Sequence, residues 1–115
     1  MTDVDSHLPL TAREFHILLA LRTDPLNGYQ VSQVVEENSS GRVRLSPATQ
    51  FTNLHRLVER GLVAEATEDM PDRTDGRGQR FWVLTPLGRR VLTAEARRLE
   101  ADARLALALA PEDGS

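Results

Sequence analysis

The chain contains no cysteine and no lysine. Without cysteine there is no disulfide framework, no thiolate metal site and no cysteine nucleophile. Aromatic residues are scarce, and Trp82 is the only tryptophan. No apolar run approaches the roughly 20 residues that a membrane-crossing helix needs. The acidic stretch from Met1 to Leu10 lacks the basic-then-apolar pattern of an export signal, so the expected location is the cytoplasm. There is no glycine-rich phosphate loop. The three histidines, His7, His16 and His55, lack metal-ligand spacing. Ser39, Ser40 and Ser46 read as turn and cap residues, and the acids are scattered over element ends. No metal, no cofactor and no catalytic centre is expected, and the chain is read as not being an enzyme.

What is present fits one soluble globular domain: 115 residues, 40% apolar and 27% charged. A net charge of −3 speaks mildly against nucleic acid, but its distribution does not. All 14 basic residues are arginine. Positive charge is concentrated in two blocks, residues 41–60 at about +3 and residues 73–90 at about +4, inside an otherwise acidic chain. Arginine offers planar, forked contacts to phosphate and guanine, although compositional bias accounts for most of the missing lysine.

Residues 1–9 read as a flexible arm closed by Pro9. Thr11 to Glu14 is a capping box, a threonine followed three residues on by a glutamate. It opens a first helix to about Arg22 with Phe15, Ile17, Leu18, Leu19 and Leu21 as apolar positions. Asp24 to Gly28 reads as a turn. Tyr29, Val31, Val34 and Val35 form the apolar side of a second helix ending near Asn38. Ser46-Pro47 combines a serine cap with proline at the first helical position. The third helix then runs to about Arg60, with Phe51, Leu54, Leu57 and Val58 expected in the core and Gly61 as a left-handed cap. Leu62 to Thr67 and Arg80 to Thr85 read as the two strands of a hairpin, and Trp82 shares a core-facing side with Leu84. Thr85-Pro86 repeats the start signal for a fourth helix to about Ala110. Residues 111–115 read as a disordered tail.

Helix, helix, helix, hairpin, long helix is the order of a winged helix-turn-helix: mostly α with a β-hairpin wing, residues 10–85, followed by a C-terminal helix, residues 86–110. In such folds the third helix lies in the major groove and the wing follows the backbone. Thr49, Gln50, Thr52, Asn53 and Arg56 are expected on its outward side. Arg73, Arg77 and Arg80 are expected on the wing. Glutamine and asparagine pair with adenine, and arginine with guanine or phosphate. Taken singly, a polar helix face is as often merely solvated. The two basic blocks coincide with the two elements that should touch double-stranded DNA, and that joint arrangement favours a DNA-binding function. A winged-helix module that binds protein instead is the alternative.

The segment Leu45 to Thr49, continuing through Leu54-His55-Arg56-Leu57-Val58-Glu59-Arg60-Gly61-Leu62-Val63, resembles the recognition-helix signature of the PadR family of regulators. Phe15 to Leu21 leading into Gly28-Tyr29, and Phe81-Trp82-Val83-Leu84-Thr85-Pro86-Leu87-Gly88, resemble two further family segments. The likeness covers roughly residues 8–105. It departs at Gln50-Phe51, where the family often has leucine-tyrosine, at Thr52 in place of proline, and at Asn27 in place of a basic residue or histidine. The resemblance implies a repressor-type transcriptional regulator that dimerises through its last helix.

That helix carries Leu92, Ala96, Leu99, Ala103 and Ala106 at spacings of four and three, a heptad-like seam. At 1.5 Å per residue it is about 36 Å long, more than so small a domain can cover. The seam is therefore expected to meet a second copy, and a homodimer would present two recognition helices to a palindrome-like operator. Some short PadR-like proteins sandwich flat aromatic or cationic compounds between tryptophans of this helix. Here it has no aromatic residue, so that mode does not carry over. A small-molecule effector stays open as a further partner.

Overall fold

The computed structural model describes residues 3–68 and 79–109. A single 3-10 turn, Asp5–His7, precedes α1 (Ala12–Ala20), α2 (Gly28–Asn38), α3 (Pro47–Glu59), β1 (Val63–Glu68), β2 (Gln79–Leu84) and α4 (Pro86–Ala108). This is a winged helix: three helices, an antiparallel hairpin and a long final helix.

The helices begin where side chains can satisfy their first amides. Thr11 accepts from the Glu14 amide while Glu14 accepts from the Thr11 amide. Asn27 and Gln30 form a second reciprocal box at the head of α2, which the turn-like sequence Asp24 to Gly28 concealed. Ser46 and Thr85 cap α3 and α4, each followed by proline at the helix start. Gly61 follows α3 with φ +76°, the left-handed conformation that glycine adopts without a Cβ clash.

The hairpin pairs Val63 with Leu84 and continues to Glu68 with Gln79, one residue out from the ends expected. Leu26, in the α1–α2 turn, adds a bridge by exchanging two backbone hydrogen bonds with Trp82. Around this frame Ile17, Leu18, Val31, Val35, Leu54, Leu57, Leu62, Val63, Trp82 and Val91 form one core.

Three expectations need correction. Phe51 is 55% exposed and Tyr29 74% exposed, so neither belongs to the core. On α3 the inward stripe runs through Gln50, Leu54 and Leu57, at i, i+4 and i+7, and Phe51 lies one residue past it. The arm is also anchored over the part described. Val4 and Leu8 pack against the core, Leu10 is buried, and the Arg60 guanidinium donates to the His7 carbonyl at 3.3 Å. Finally, α4 is not a separate unit. Val91, Leu92 and Glu95 are buried in the same core, whereas Ala96 to Leu109 are all exposed. Among the described residues no helix is long and apolar enough to cross a membrane.

Candidate nucleic-acid interface

The outward side of α3 is set by its inward side. With Gln50, Leu54 and Leu57 facing in, helical periodicity turns Thr52 and Arg56 out, one turn apart. Both are exposed, and neither has a hydrogen-bond or ion-pair partner among the described residues. His55 stands beside them, also exposed. Its ring stacks on Phe51 with centroids 6.0 Å apart and 15° between planes, and its Nε2 lies 4.0 Å from Glu59.

The other three expected reading residues are occupied by the fold. The Gln50 amide donates to the Gly28 carbonyl and to the Ser32 hydroxyl, pinning α3 to α2. It is turned inward, a correction to the outward face expected for it. Asn53 is half-buried and donates to the Thr49 carbonyl at 2.9 Å, one turn back along its own helix. The Thr49 hydroxyl accepts from the capping Ser46 at 2.9 Å.

Arginines divide in the same way. Arg42 and Arg44, in the turn before α3, are exposed and share with Arg13 a recess at the start of α1. The recess also sits at the positive end of that helix. Arg44 lies 3.9 Å from Glu36, but two such exposed groups attract each other weakly in water. Arg60 is different. It is half-buried, with Nη1 2.7 Å from Glu14, and it works inside the domain. On the wing, Arg80 is exposed and its Nε lies 3.3 Å from Glu65. Arg73 and Arg77 fall outside the described residues.

One charged residue escaped the sequence reading. Glu95 is 1% exposed. Its Oε2 accepts from the Leu10 amide at 3.0 Å and from Arg98 Nη2 at 3.1 Å, and its Oε1 accepts from Arg98 Nε at 2.6 Å. The Arg98 hydrogen bonds hold the carboxyl below its ordinary pKa; burial opposes this, and the Leu10 amide and the Arg98 charge add to it. The signal was present in the sequence. Glu95 sits at i+4 from Val91 and i+3 from Leu92, in the middle of the apolar stripe.

The seam on α4 is split. Leu92 is 8% exposed and belongs to the domain's own core, while Ala96, Leu99, Ala103 and Ala106 are exposed. Phe15 and Leu19 of α1 join Leu92 and Ala96 along a shallow apolar groove between α1 and α4.

Residues 17–94 match the model of the transcriptional regulator PadR-like family. The chain belongs to this family of transcriptional regulators. The transcriptional regulator Rv3488 of Mycobacterium tuberculosis is 36% identical over 93 residues, spanning 81% of this chain and 80% of that protein. A PadR-like transcription factor of Bacteroides fragilis has the same fold with a TM-score of 0.70, at 20% identity, over 93% of this chain and 98% of that one. Bacillus subtilis PadR, solved in complex with operator DNA, gives a TM-score of 0.62 at 20% identity, over 75% of this chain and 47% of that one. Within this PadR-like chain the family match runs from α1 to the last half-buried residue before Glu95 and stops short of the exposed half of α4.

Proposed function

We propose that the protein is a sequence-specific DNA-binding repressor that acts in the cytoplasm as a homodimer, with α3 in the major groove and no catalytic role. The observation that carries this reading is the pair Thr52 and Arg56, exposed, unpartnered among the described residues and aligned on the outward side of α3. Bacillus subtilis PadR was solved on operator DNA, and three quarters of this chain shares the fold of 47% of that protein. Arg56 is assigned to guanine or phosphate, Thr52 to a base edge, and the exposed Phe51 ring to a thymine methyl. Gln50, Asn53 and Thr49 are assigned to holding the helix in position. Arg73, Arg77 and Arg80 are assigned to phosphates along the wing, and Arg42 and Arg44 to phosphates beside α3.

The division can be tested by fluorescence anisotropy on an operator fragment. Arg56→Ala is expected to weaken binding by about 1–3 kcal/mol. The conservative variant Arg56→Lys should recover phosphate attraction but not forked guanine contact. Unchanged affinity for Arg56→Ala would move the reading face elsewhere.

The homodimer rests on the exposed half of α4. Leu99 is 39% exposed and Leu107 73% exposed, and helical periodicity puts them with Ala96, Ala103 and Ala106 on one side of α4, an apolar surface with no cover of its own among the described residues. A second copy with the same stripe would bury it, with Phe15 and Leu19 contributing from α1. Two-fold symmetry would then set two α3 helices about one DNA turn apart, as a palindrome-like operator requires. Leu99→Glu is expected to convert the dimer to monomer at micromolar concentration, seen by light scattering, while the circular dichroism spectrum of the fold is retained. A dimer that persists in Leu99→Glu would place the interface elsewhere.

A further inference from the structure

Phe51, His55 and Glu59 follow one another at i, i+4 and i+8 along one flank of α3, and all three are exposed. The stack on Phe51 orients the His55 imidazole, and its Nε2 faces the Glu59 carboxylate at 4.0 Å. Its Nδ1 has no hydrogen-bond partner among the described residues. Glu59 puts a negative charge on the helix that is assigned to the DNA. Arg60, just past the helix end, is drawn inward by Glu14, so the outward charges of α3 are Arg56 and Glu59, which cancel. The net outward charge is then set by His55, zero with a neutral ring and positive with a protonated one. The elements packed on α3 are α1, α2 and β1. Their carboxylates Glu14, Glu36 and Glu65 lie against Arg60, Arg44 and Arg80. Among the described side chains no charged group of these elements pairs with His55. On its own helix the Glu59 carboxylate favours the charged ring, and the neighbouring Arg56 opposes it.

We propose that His55 bridges Glu59 to a backbone phosphate in its protonated form, so that DNA binding takes up a proton from solvent and strengthens as the pH falls. The inference rests on the DNA-binding reading above. Its chemical basis is a count of donors. A neutral imidazole has one N–H and can serve one anion; the imidazolium has two. A carboxylate and a phosphate are both acceptors, so holding both at once requires the charged ring, with Nε2–H on Glu59 and Nδ1–H on the phosphate. With the ring neutral, Glu59 repels the same phosphate across a short distance. Imidazole side chains change charge between about pH 5 and 8, which puts the linkage in the range where a regulator works. By linkage, whatever DNA gains from the proton, the proton gains from DNA.

Fluorescence anisotropy of the full chain at a series of pH values and fixed ionic strength reads the linkage. Two probes are used, the DNA upstream of its own gene and a random duplex at low salt, since a phosphate contact acts on both. Wild-type affinity is expected to be roughly fivefold or more higher at about pH 6 than at about pH 8. His55→Gln should flatten this profile. Glu59→Gln should tighten binding at about pH 8 and shrink the gain on acidification, because the repulsion that the proton offsets is gone. Both side chains are exposed, so both variants should keep the wild-type circular dichroism spectrum. Calorimetry in two buffers of different ionisation heat should show proton uptake on binding in the wild type and a smaller uptake in His55→Gln. A wild-type affinity that is flat in pH overturns the proposal. So does a His55→Gln profile as steep as the wild type, which would assign the proton to another group. DNA bound without proton linkage leaves the DNA-binding reading standing and removes His55 alone; a protein that binds neither duplex at any pH removes both.

Discussion

Replacing Glu95 with alanine is expected to destabilise the fold by about 3 kcal/mol, near the lower end for breaking a buried ion pair because Arg98 retains access to water. The loss has two parts. The Leu10 amide, bonded to Oε2 at 3.0 Å, is left without an acceptor in a buried position. The anchoring of the N-terminal segment to α4 goes with it. Chemical denaturation of wild type and variant reads the difference directly. The conservative variant Glu95→Gln separates the charge from the hydrogen bond, and its pH dependence has a definite sign. The Arg98 hydrogen bonds depress the carboxyl in the folded protein. The stabilisation is therefore fully present above the unfolded value of about 4.3. It is lost as the pH falls below that value and through the folded one. The gap between wild type and Glu95→Gln should be constant from neutral pH down to about 5 and should narrow in acid. A gap that widened in acid would mean that Glu95 is protonated and neutral in the fold.

Gly88→Ala is expected to cost about 3 kcal/mol, at the upper end for forcing extra volume into a packed site, and to lower the melting temperature by roughly 10 °C or more. A Cβ at this position would lie 2.0 Å from the Leu62 carbonyl oxygen and 2.9 Å from a Leu84 methyl. That carbonyl cannot yield easily, because it already accepts from the Thr85 amide at 3.1 Å. Thr85 is fixed on both sides. Its hydroxyl donates to the Gly61 carbonyl at 2.6 Å and accepts from the Gly88 amide at 2.9 Å. Gly88 is thus where α4 crosses the base of the wing at backbone distance. The sign is diagnostic, since glycine to alanine in an uncrowded helix gains up to about 1 kcal/mol. A stabilised Gly88→Ala protein would contradict the close approach.

The elements were legible because their starts are chemically marked. Thr11 with Glu14, Ser46-Pro47 and Thr85-Pro86 each announce a helix, and Gly61 announces an end. The wing's core tryptophan was legible from alternation along its strand. The facing of α3 was not. Hydrophobicity favours Phe51 over Gln50 for the inward stripe, yet geometry puts Gln50 in line with Leu54 and Leu57. A polar amide can occupy that stripe because Gly28 and Ser32 of α2 satisfy it. Those partners lie 22 and 18 residues away in sequence, beyond any periodicity argument. Arg60 misled for a related reason. It counts toward a basic block, but Glu14 and His7, 46 and 53 residues upstream, take its charge inward. A long-range polar pair therefore took Gln50 out of the outward set, local bonds within α3 took Asn53 and Thr49, and Thr52 and Arg56 were left.

The central claim is best tested by titrating the purified protein against the DNA upstream of its own gene, by anisotropy at two salt concentrations with non-specific competitor present. Contacts through arginine and phosphate make affinity fall steeply with salt. The expected result is tight binding that survives competitor and weakens as salt rises. Failure to bind even non-specific DNA at low salt would contradict the DNA-binding account and favour a winged-helix module that recognises protein.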